Sequence, residues 1–304
     1  MLGRFIRTAA GLVAVLGVSA FAYSAAVEPR TLRLRQFRIG IPLLPEPLEG
    51  LRIAYLSDFH VGGPGFGEQL TRQALETIAQ EQPDLVLLGG DFVDRGNWAE
   101  ESTTYDGLKQ FANVVGVLGN HDYRGGEQVA ESIRDGMARR GVVILRNESI
   151  SLRLRDTDVT ITGVDDPYTR HDDFDAALVP GSWPLILLAH APVIEDELRP
   201  GMAGMILCGH THGGQIRISP WRTLTPLDYT FYLDHVVGRP VSRYQRGFHW
   251  AKGNLLYVSN GIGTTRWPLR FMAPPEIAIF HLSKTAPHPD EPCDDPARYV
   301  EDIG

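Results

Sequence analysis

Short apolar runs recur between residues 51 and 211, and five of them end in residue types that bind metal ions. The runs alternate with segments of helical periodicity, such as 67–82, and this alternation is typical of an α/β protein with buried strands. The polar side chains at the ends of the runs are Asp58 and His60, Asp91 and Asp94, Asn120 and His121, His190, and His210 with His212. Because α/β folds bind ligands at the carboxyl ends of their strands, we expect these side chains to converge.

Each of these side chains has an ordinary interpretation when it is taken alone. An aspartate at the end of a strand commonly caps the turn or helix that follows. A single histidine such as His190 is commonly a hydrogen-bonded core residue. Five such strand ends together are hard to obtain by chance, since clustered titratable groups mark functional sites. The sequence therefore predicts a metal site at the strand ends.

The first 30 residues differ from the rest of the chain. Residues 8–27 carry no charge and are just long enough to span a bilayer as a helix. A cleaved signal peptide is the alternative, since "AFA" and "SAA" offer small residues for cleavage, and a buried helix is a third interpretation. We expect an uncleaved single span in a bacterial-type cytoplasmic (inner) membrane.

The arginines on the two sides of this segment give opposing indications of its orientation. Arg4 and Arg7 precede it and favour an extracytoplasmic domain, whereas four arginines follow it between residues 30 and 38. The latter lie in "TLRLRQFRI", whose alternation predicts a strand. They are therefore weaker evidence for the orientation than arginines in a free loop would be. We expect one extracytoplasmic domain over residues 31–284, followed by a disordered tail over 285–304 that is rich in Pro and Asp.

The composition restricts the classes of partner. A net charge of −8 argues against a nucleic-acid binder, which needs a basic surface. Two cysteines give neither a disulfide framework nor the spacing of a zinc finger. We expect a monomer that acts at the membrane and does not bind nucleic acid.

The stretches "SDFH", "GGDFVDRG", "GNHD", "LLAHAP" and "GHTHGG" occur in this order across residues 51–215. Together they resemble the motifs of the calcineurin-like metallophosphoesterase superfamily. The later stretch "GNLLYVSNGIGTTRWPLRFMAPPEIAIFHL" is similar to that of membrane-anchored bacterial members. The resemblance implies an α/β fold of the layered β-sandwich type flanked by helices, here after an N-terminal transmembrane or signal-anchor helix. It also implies metal-dependent hydrolysis of phosphoric esters.

The resemblance implies a dinuclear metal site and assigns its ligands. Asp91 would bridge two divalent cations about 3.5–4 Å apart. The first cation would be completed by Asp58, His60 and His212, and the second by Asn120, His190 and His210. Carboxylate and imidazole ligands favour manganese, iron or zinc over calcium.

The same resemblance assigns catalytic roles to residues that do not bind the metals. His121 would protonate the leaving oxygen and Asp94 would orient it, because a carboxylate raises the pKa of an imidazole and fixes its tautomer. Arg95 would contact the phosphoryl oxygens, although a solvated surface arginine is an equal interpretation. Cys208, Trp267 and Arg270 are expected to be ordinary packing or surface residues, and 165–175 a solvated loop beside the site.

The substrate stays open at this point. The superfamily contains phosphodiesterases and lipid-precursor pyrophosphatases, including those that cleave UDP-2,3-diacylglucosamine, so a lipid-linked phosphoester and a role in lipid metabolism fit a membrane anchor. One alternative is a catalytically idle, metal-binding scaffold of the same fold, which the retention of His121 and Asp94 disfavours. A phosphomonoesterase or nuclease is the other, and the acidic charge disfavours the nuclease.

Overall fold

The computed structural model describes residues 2–41, 44–95, 102–179, 185–217, 244–284 and 299–304. The helices are α1 (Leu2–Ala26), α2 (Gly67–Glu81), α3 (Glu127–Ala138) and the short α4 (Phe174–Ala177). The strands are β1 (Arg33–Gly40), β2 (Arg52–Leu56), β3 (Leu85–Leu88), β4 (Val114–Val117), β5 (Val142–Leu145), β6 (Glu148–Leu154), β7 (Thr157–Val164), β8 (Ile186–Ala189), β9 (Met205–Cys208), β10 (Gly247–Ala251), β11 (Asn254–Val258), β12 (Glu276–Ser283) and β13 (Val300–Asp302).

The strands of the described residues form two sheets. One has the order β13-β1-β12-β2-β3-β4-β5 and the other β10-β11-β9-β8-β7-β6. Each sheet contains a parallel block, which is β2 to β5 in the first sheet and β7, β8, β9 and β11 in the second. The predicted class, an α/β layered β-sandwich flanked by helices, is confirmed.

The central strands are apolar throughout because both of their faces are buried. Along β2, Ile53 and Tyr55 enter the core between the two sheets, whereas Ala54 and Leu56 face the core that α2 and α3 cover. A strand that is covered on both faces has no side exposed to solvent. Its residues are therefore continuously apolar and do not alternate with polar ones. Polar residues follow only where such a strand ends, and this is why the candidate metal ligands lie at the ends of the apolar runs.

The apolar N-terminal segment forms α1. The candidate span is 24 residues long, and an 18-residue window within it has a mean hydropathy of 1.9 and is only 6% buried, so by length and composition it can cross a membrane. The end of this helix is nevertheless packed on the sandwich, because Ser24 and Glu28 are buried there. Contacts to the rest of the protein thus begin before residue 30, at Ser24 and Glu28.

The end of the chain is also part of the sandwich. Strand β13 pairs antiparallel with β1, and Arg35 and Arg38 form ion pairs with Asp302 and Glu301 across this pairing. The prediction of a disordered tail is wrong for residues 299–304, because strand pairing and opposite charges hold them. Residues 285–298 lie outside the described residues. The strand predicted from "TLRLRQFRI" is confirmed as β1.

Candidate metal centre

The loops that leave the parallel strands turn sharply at the predicted ligands. The backbone φ angle is positive at five of them: 55° at Asp58, 47° at His60, 54° at Asp91, 69° at His210 and 52° at His212. Residues other than glycine rarely adopt this conformation, which costs on the order of 1–3 kcal/mol each and clusters at functional sites. The fold is therefore destabilised locally at these five residues, whose side chains are directed into the site.

Three of the predicted ligands form one group of donor atoms. The Nε2 atoms of His60 and His212 are 3.0 Å apart, and Asp58 Oδ1 lies 3.6 Å from His212 Nε2. A second group contains Asn120, whose Oδ1 lies 3.2 Å from His190 Nε2 and 2.8 Å from His210 Nδ1. The two groups come from loops of both sheets.

Asp91 lies between the two groups. Its Oδ2 is 3.4 Å from His60 Nε2 and also 3.4 Å from His190 Nε2. Its Oδ1 accepts a hydrogen bond of 2.8 Å from the backbone N–H of His121, which fixes the orientation of the carboxylate. One carboxylate oxygen thus reaches both groups, the position that a bridging ligand requires.

The chemistry of these atoms fits cations. Asp58 Oδ2 is buried and has no hydrogen-bond partner among the described residues. Burial lowers the pKa of His210 to about 3, with help from the charge of His190, and burial together with His60 and Arg270 holds the pKa of His212 well below its usual range. Neutral imidazole is the form that ligates metals. The Nε2 atoms of His60 and His212, which are 3.0 Å apart, are close enough for one cation to bind both.

Contacts with neighbouring groups orient two of the histidine rings. His190 Nδ1 donates to Gly89 O at 2.7 Å, which turns the Nε2 of the ring toward Asp91. The Arg270 side chain places Nη2 3.4 Å from His212 Nδ1, on the side of the ring opposite to the Nε2 that faces Asp58 and His60. Contacts of this kind orient metal ligands in many proteins and strengthen their binding.

Small residues let the ligands approach the backbone. A Cβ atom at Gly209 would lie 2.4 Å from Asp58 Oδ2, and one at Gly119 would lie 2.3 Å from Asp91 Oδ1. Both separations are far shorter than any nonbonded contact allows. Gly209 in GHTHGG and Gly119 in GNHD are therefore required by space next to the carboxylates.

His121 and Asp94 form a pair beside the two groups. His121 Nδ1 is 3.1 Å from Asp94 Oδ1 and donates to the backbone O of Asp94 at 2.6 Å. Burial lowers the pKa of His121, but the charge of Asp91 and the hydrogen bond with Asp94 outweigh it, so the net shift is upward. Burial raises the pKa of Asp94, but hydrogen bonds with His121 and His60 hold it well below its usual range. Asp94 also reaches His60 Nδ1 at 3.2 Å, a contact that the sequence did not indicate.

Arg95 is a solvated arginine at the edge of the site, and its contact with phosphoryl oxygens stays a prediction. Its side chain is 72% exposed, yet its Nε lies 3.3 Å from Asp94 Oδ2 at the rim of the site. A second arginine, Arg124, donates to the backbone O of Asp94 at 3.3 Å and was missed by the sequence analysis. Its position three residues after His121 in "GNHDYRGG" was the available signal.

The interpretation of 165–175 as a solvated loop is wrong at its start. Asp165 and Asp166 are buried, where Asp165 accepts hydrogen bonds from Tyr123 and Arg146. Farther along, the ring of Tyr168 lies 4.4 Å from that of His210, so the loop does border the site. The apolar strand β7 runs directly into both aspartates, and that continuity explains their burial.

Comparison with known proteins identifies the class to which this fold and site belong. The calcineurin-like phosphoesterase family matches residues 51–214. An uncharacterized metallophosphoesterase, YkuE of Bacillus subtilis strain 168, is 30% identical over 292 residues, which cover 93% of this chain and 96% of YkuE. The chain belongs to the calcineurin-like phosphoesterase family, whose members are metal-dependent phosphoric ester hydrolases that bind two divalent metal ions.

Two further relatives extend the comparison. The phosphodiesterase YaeI of Escherichia coli strain K12 is 26% identical over 287 residues, covering 92% of this chain and 98% of YaeI. A Danio rerio protein named as a transmembrane protein with a metallophosphoesterase domain is 27% identical over 301 residues, covering 93% of this chain and 64% of that protein. The similarity to both includes more than the stretch that carries the motifs.

Proposed function

We propose that this chain is a membrane-anchored phosphodiesterase that hydrolyses a phosphodiester or pyrophosphate bond with two divalent metal ions. The observation that carries the proposal is the position of Asp91, whose Oδ2 is 3.4 Å from one imidazole of each donor group. A single metal site would not need a carboxylate shared between two clusters of ligands.

The donor groups divide the ligands between two cations. The first set is Asp58, His60 and His212, the second set is Asn120, His190 and His210, and Asp91 belongs to both. Mixed oxygen and imidazole donors favour manganese, iron or zinc. When bound, the cations supply positive charge for the phosphoryl oxygens and acidify water at the site.

The remaining residues handle the proton and the substrate charge. His121 gives a proton to the leaving oxygen, and Asp94 holds the ring by its Nδ1 so that Nε2 is the donating atom. Arg95 is exposed at the rim, where its guanidinium can turn from Asp94 to a phosphoryl oxygen. This arrangement supports turnover rather than an idle scaffold.

Helix α1 anchors the domain at the membrane. Its length, hydropathy and exposure support a single span in a bacterial-type inner membrane. The arginines after the span lie in strand β1 and pair with the chain terminus, so they are a weak topological signal. Arg4 and Arg7 then favour an extracytoplasmic domain. A lipid-linked substrate such as UDP-2,3-diacylglucosamine fits an enzyme that is anchored at a membrane.

A substrate panel tests the proposal with purified full-length protein in detergent and manganese. We expect hydrolysis of bis(p-nitrophenyl) phosphate, slower hydrolysis of p-nitrophenyl phosphate, and cleavage of the nucleotide-linked lipid. Asp91→Asn should abolish turnover and release metal from both sites, because the two cations lose the charge between them. His281→Gln, at a histidine of β12 bonded to Gln36, is the matched control and should stay active.

The outcomes separate the parts of the proposal. Full activity of Asp91→Asn with two retained metal equivalents would contradict the bridging role. Cleavage of the monoester alone would make the protein a phosphomonoesterase. Cleavage of the aryl diester but not of the lipid would leave the phosphodiesterase assignment and remove the lipid precursor as its substrate.

A further inference from the structure

The end of helix α1 is bonded to a loop that borders the metal centre. The backbone O of Ser24 accepts the N–H of Arg270 at 2.9 Å, and the ring of Tyr23 meets that of Phe271 edge to face at 6.3 Å. Glu28, which follows the helix, accepts the N–H of Ala273 at 2.6 Å. The loop over residues 264–272, called the 264–272 loop below, therefore lies where the candidate span leaves the membrane.

The inner side of this loop is bonded to the turn that carries His212. Gln215 is buried three residues after that histidine, and its side chain donates to the backbone O of Thr265 at 3.0 Å and of Trp267 at 3.1 Å. Arg270 is fully buried, donates to Ala273 O at 2.8 Å and places Nη2 3.4 Å from His212 Nδ1. These two side chains connect the loop to the turn that carries a candidate metal ligand.

The outer side of the loop has the composition of a membrane interface. Trp267 is 43% exposed and follows the exposed Arg266. On the neighbouring helix end, Tyr23 and Val27 are exposed as well. Tryptophan and tyrosine with a polar edge are enriched where a protein meets the headgroups, because their rings lie partly in the apolar layer.

Arginine side chains also lie on the two elements that carry these exposed residues, the end of α1 and the 264–272 loop. The Arg30 guanidinium lies 4.2 Å from the centre of the Phe66 ring, and Phe66 follows the segment whose Pro64 O accepts a hydrogen bond from Thr264. At the rim of the site, Arg95 Nε lies 3.3 Å from Asp94 Oδ2, and Arg124 donates to the backbone O of Asp94 at 3.3 Å. A basic rim on a chain of net charge −8 matches anionic lipid phosphates.

We propose that the 264–272 loop rests on the headgroup layer of the membrane that α1 spans, with Trp267 inserted between anionic phospholipids. The inference rests on the proposed function in one respect, since α1 must be a membrane anchor. The bonds from the loop to His212 then hold the metal centre at the lipid surface. A phosphoester in a lipid headgroup can reach the cations without leaving the bilayer, whereas a water-soluble ester needs no such contact.

Fluorescence quenching tests the position of Trp267 in the full-length, manganese-loaded protein. The protein is reconstituted into nanodiscs of phosphatidylcholine and phosphatidylglycerol that carry a spin label near the headgroup or near the methyl end of the acyl chain. The emission of Trp267 is obtained as the difference between wild type and Trp267→Phe. Trp250→Phe is the control, because Trp250 stacks on Tyr299 and does not lie in the loop.

We expect the emission of Trp267 to be quenched, and more strongly by the label near the headgroup than by the deeper one. The component removed by Trp250→Phe should be unquenched. A second measurement does not depend on the folding of Trp267→Phe: a bimane attached to Arg266→Cys, in a Cys293→Ser background, should be quenched in the same order.

Flotation separates failure of this inference from failure of the anchor. If the wild-type protein does not float with vesicles after a carbonate wash, the membrane-anchored function and this inference both fall. If it floats but neither Trp267 nor the bimane is quenched, the loop faces water and the inference alone is overturned.

Discussion

Asp122 gives a direct test of how the fold holds the two metal-binding loops together. Its carboxylate is buried and accepts the N–H of Gly119 at 2.9 Å and the N–H of Val93 at 3.2 Å. Gly119 precedes the candidate ligand Asn120, and Val93 lies two residues after the proposed bridging ligand Asp91. One side chain therefore fixes the spacing of the loops that follow β3 and β4.

The structure sets the size of the expected losses. Asp122→Ala leaves two N–H groups without an acceptor in the interior, and each costs about 1–3 kcal/mol, so the free energy of unfolding should fall by about 2–6 kcal/mol. Asp122→Asn keeps one oxygen but turns an amide NH₂ toward the other donor. Its expected loss is about 1–3 kcal/mol.

Urea unfolding followed by circular dichroism measures these losses in the metal-free protein. Asp158→Asn is the matched control, because Asp158 is an exposed aspartate paired with Arg153, and its substitution should stay within about 0.5 kcal/mol of wild type. Manganese titration gives a second readout. Loss of a residue that supports metal ligands weakens binding by about 10–100-fold, and we expect Asp122→Asn to fall in this range.

Two results would refute this reasoning. An unfolding free energy of Asp122→Asn equal to that of Asp158→Asn would mean that the carboxylate does not satisfy the two N–H groups. A reduced stability with unchanged manganese affinity would mean that the two loops keep their spacing without Asp122.

Three further predictions follow from the site and the chain ends. His121→Ala should retain both metals but lose about 10²–10⁴-fold in turnover, with a smaller loss for a nitrophenolate leaving group, as steady-state kinetics will show. Glu28→Ala should lower the free energy of unfolding by about 1–3 kcal/mol because the buried N–H of Ala273 loses its acceptor, whereas Glu28→Gln should not. The hydrogen bond from Arg35 lowers the pKa of Asp302. The stabilisation of β13 should therefore be complete above about pH 4 and be lost as pH falls through the lowered pKa, which hydrogen exchange of the terminal strand can measure.

The sequence alone determined the parallel strands and the residue types at their ends. Runs such as "LRIAYL" and "LVLL" are apolar because both faces of these strands are buried, and this pattern is visible locally. Parallel strands of one sheet end at the same edge, so Asp58, Asp91 and Asn120 were predicted to converge before any distance was known. The motif order then assigned each residue a role.

Only the tertiary structure decided which residues far apart in sequence bond to each other. Glu28 bonds to Ala273 across 245 residues, and Arg35 bonds to Asp302 across 267. No periodicity of the chain encodes such a contact, because it depends on how β1, β12 and the helix end pack. Arg270 is a similar case, since an arginine in a Pro-rich stretch is ordinarily exposed. It is buried here because the surrounding backbone oxygens, which the fold brings together, accept its N–H groups.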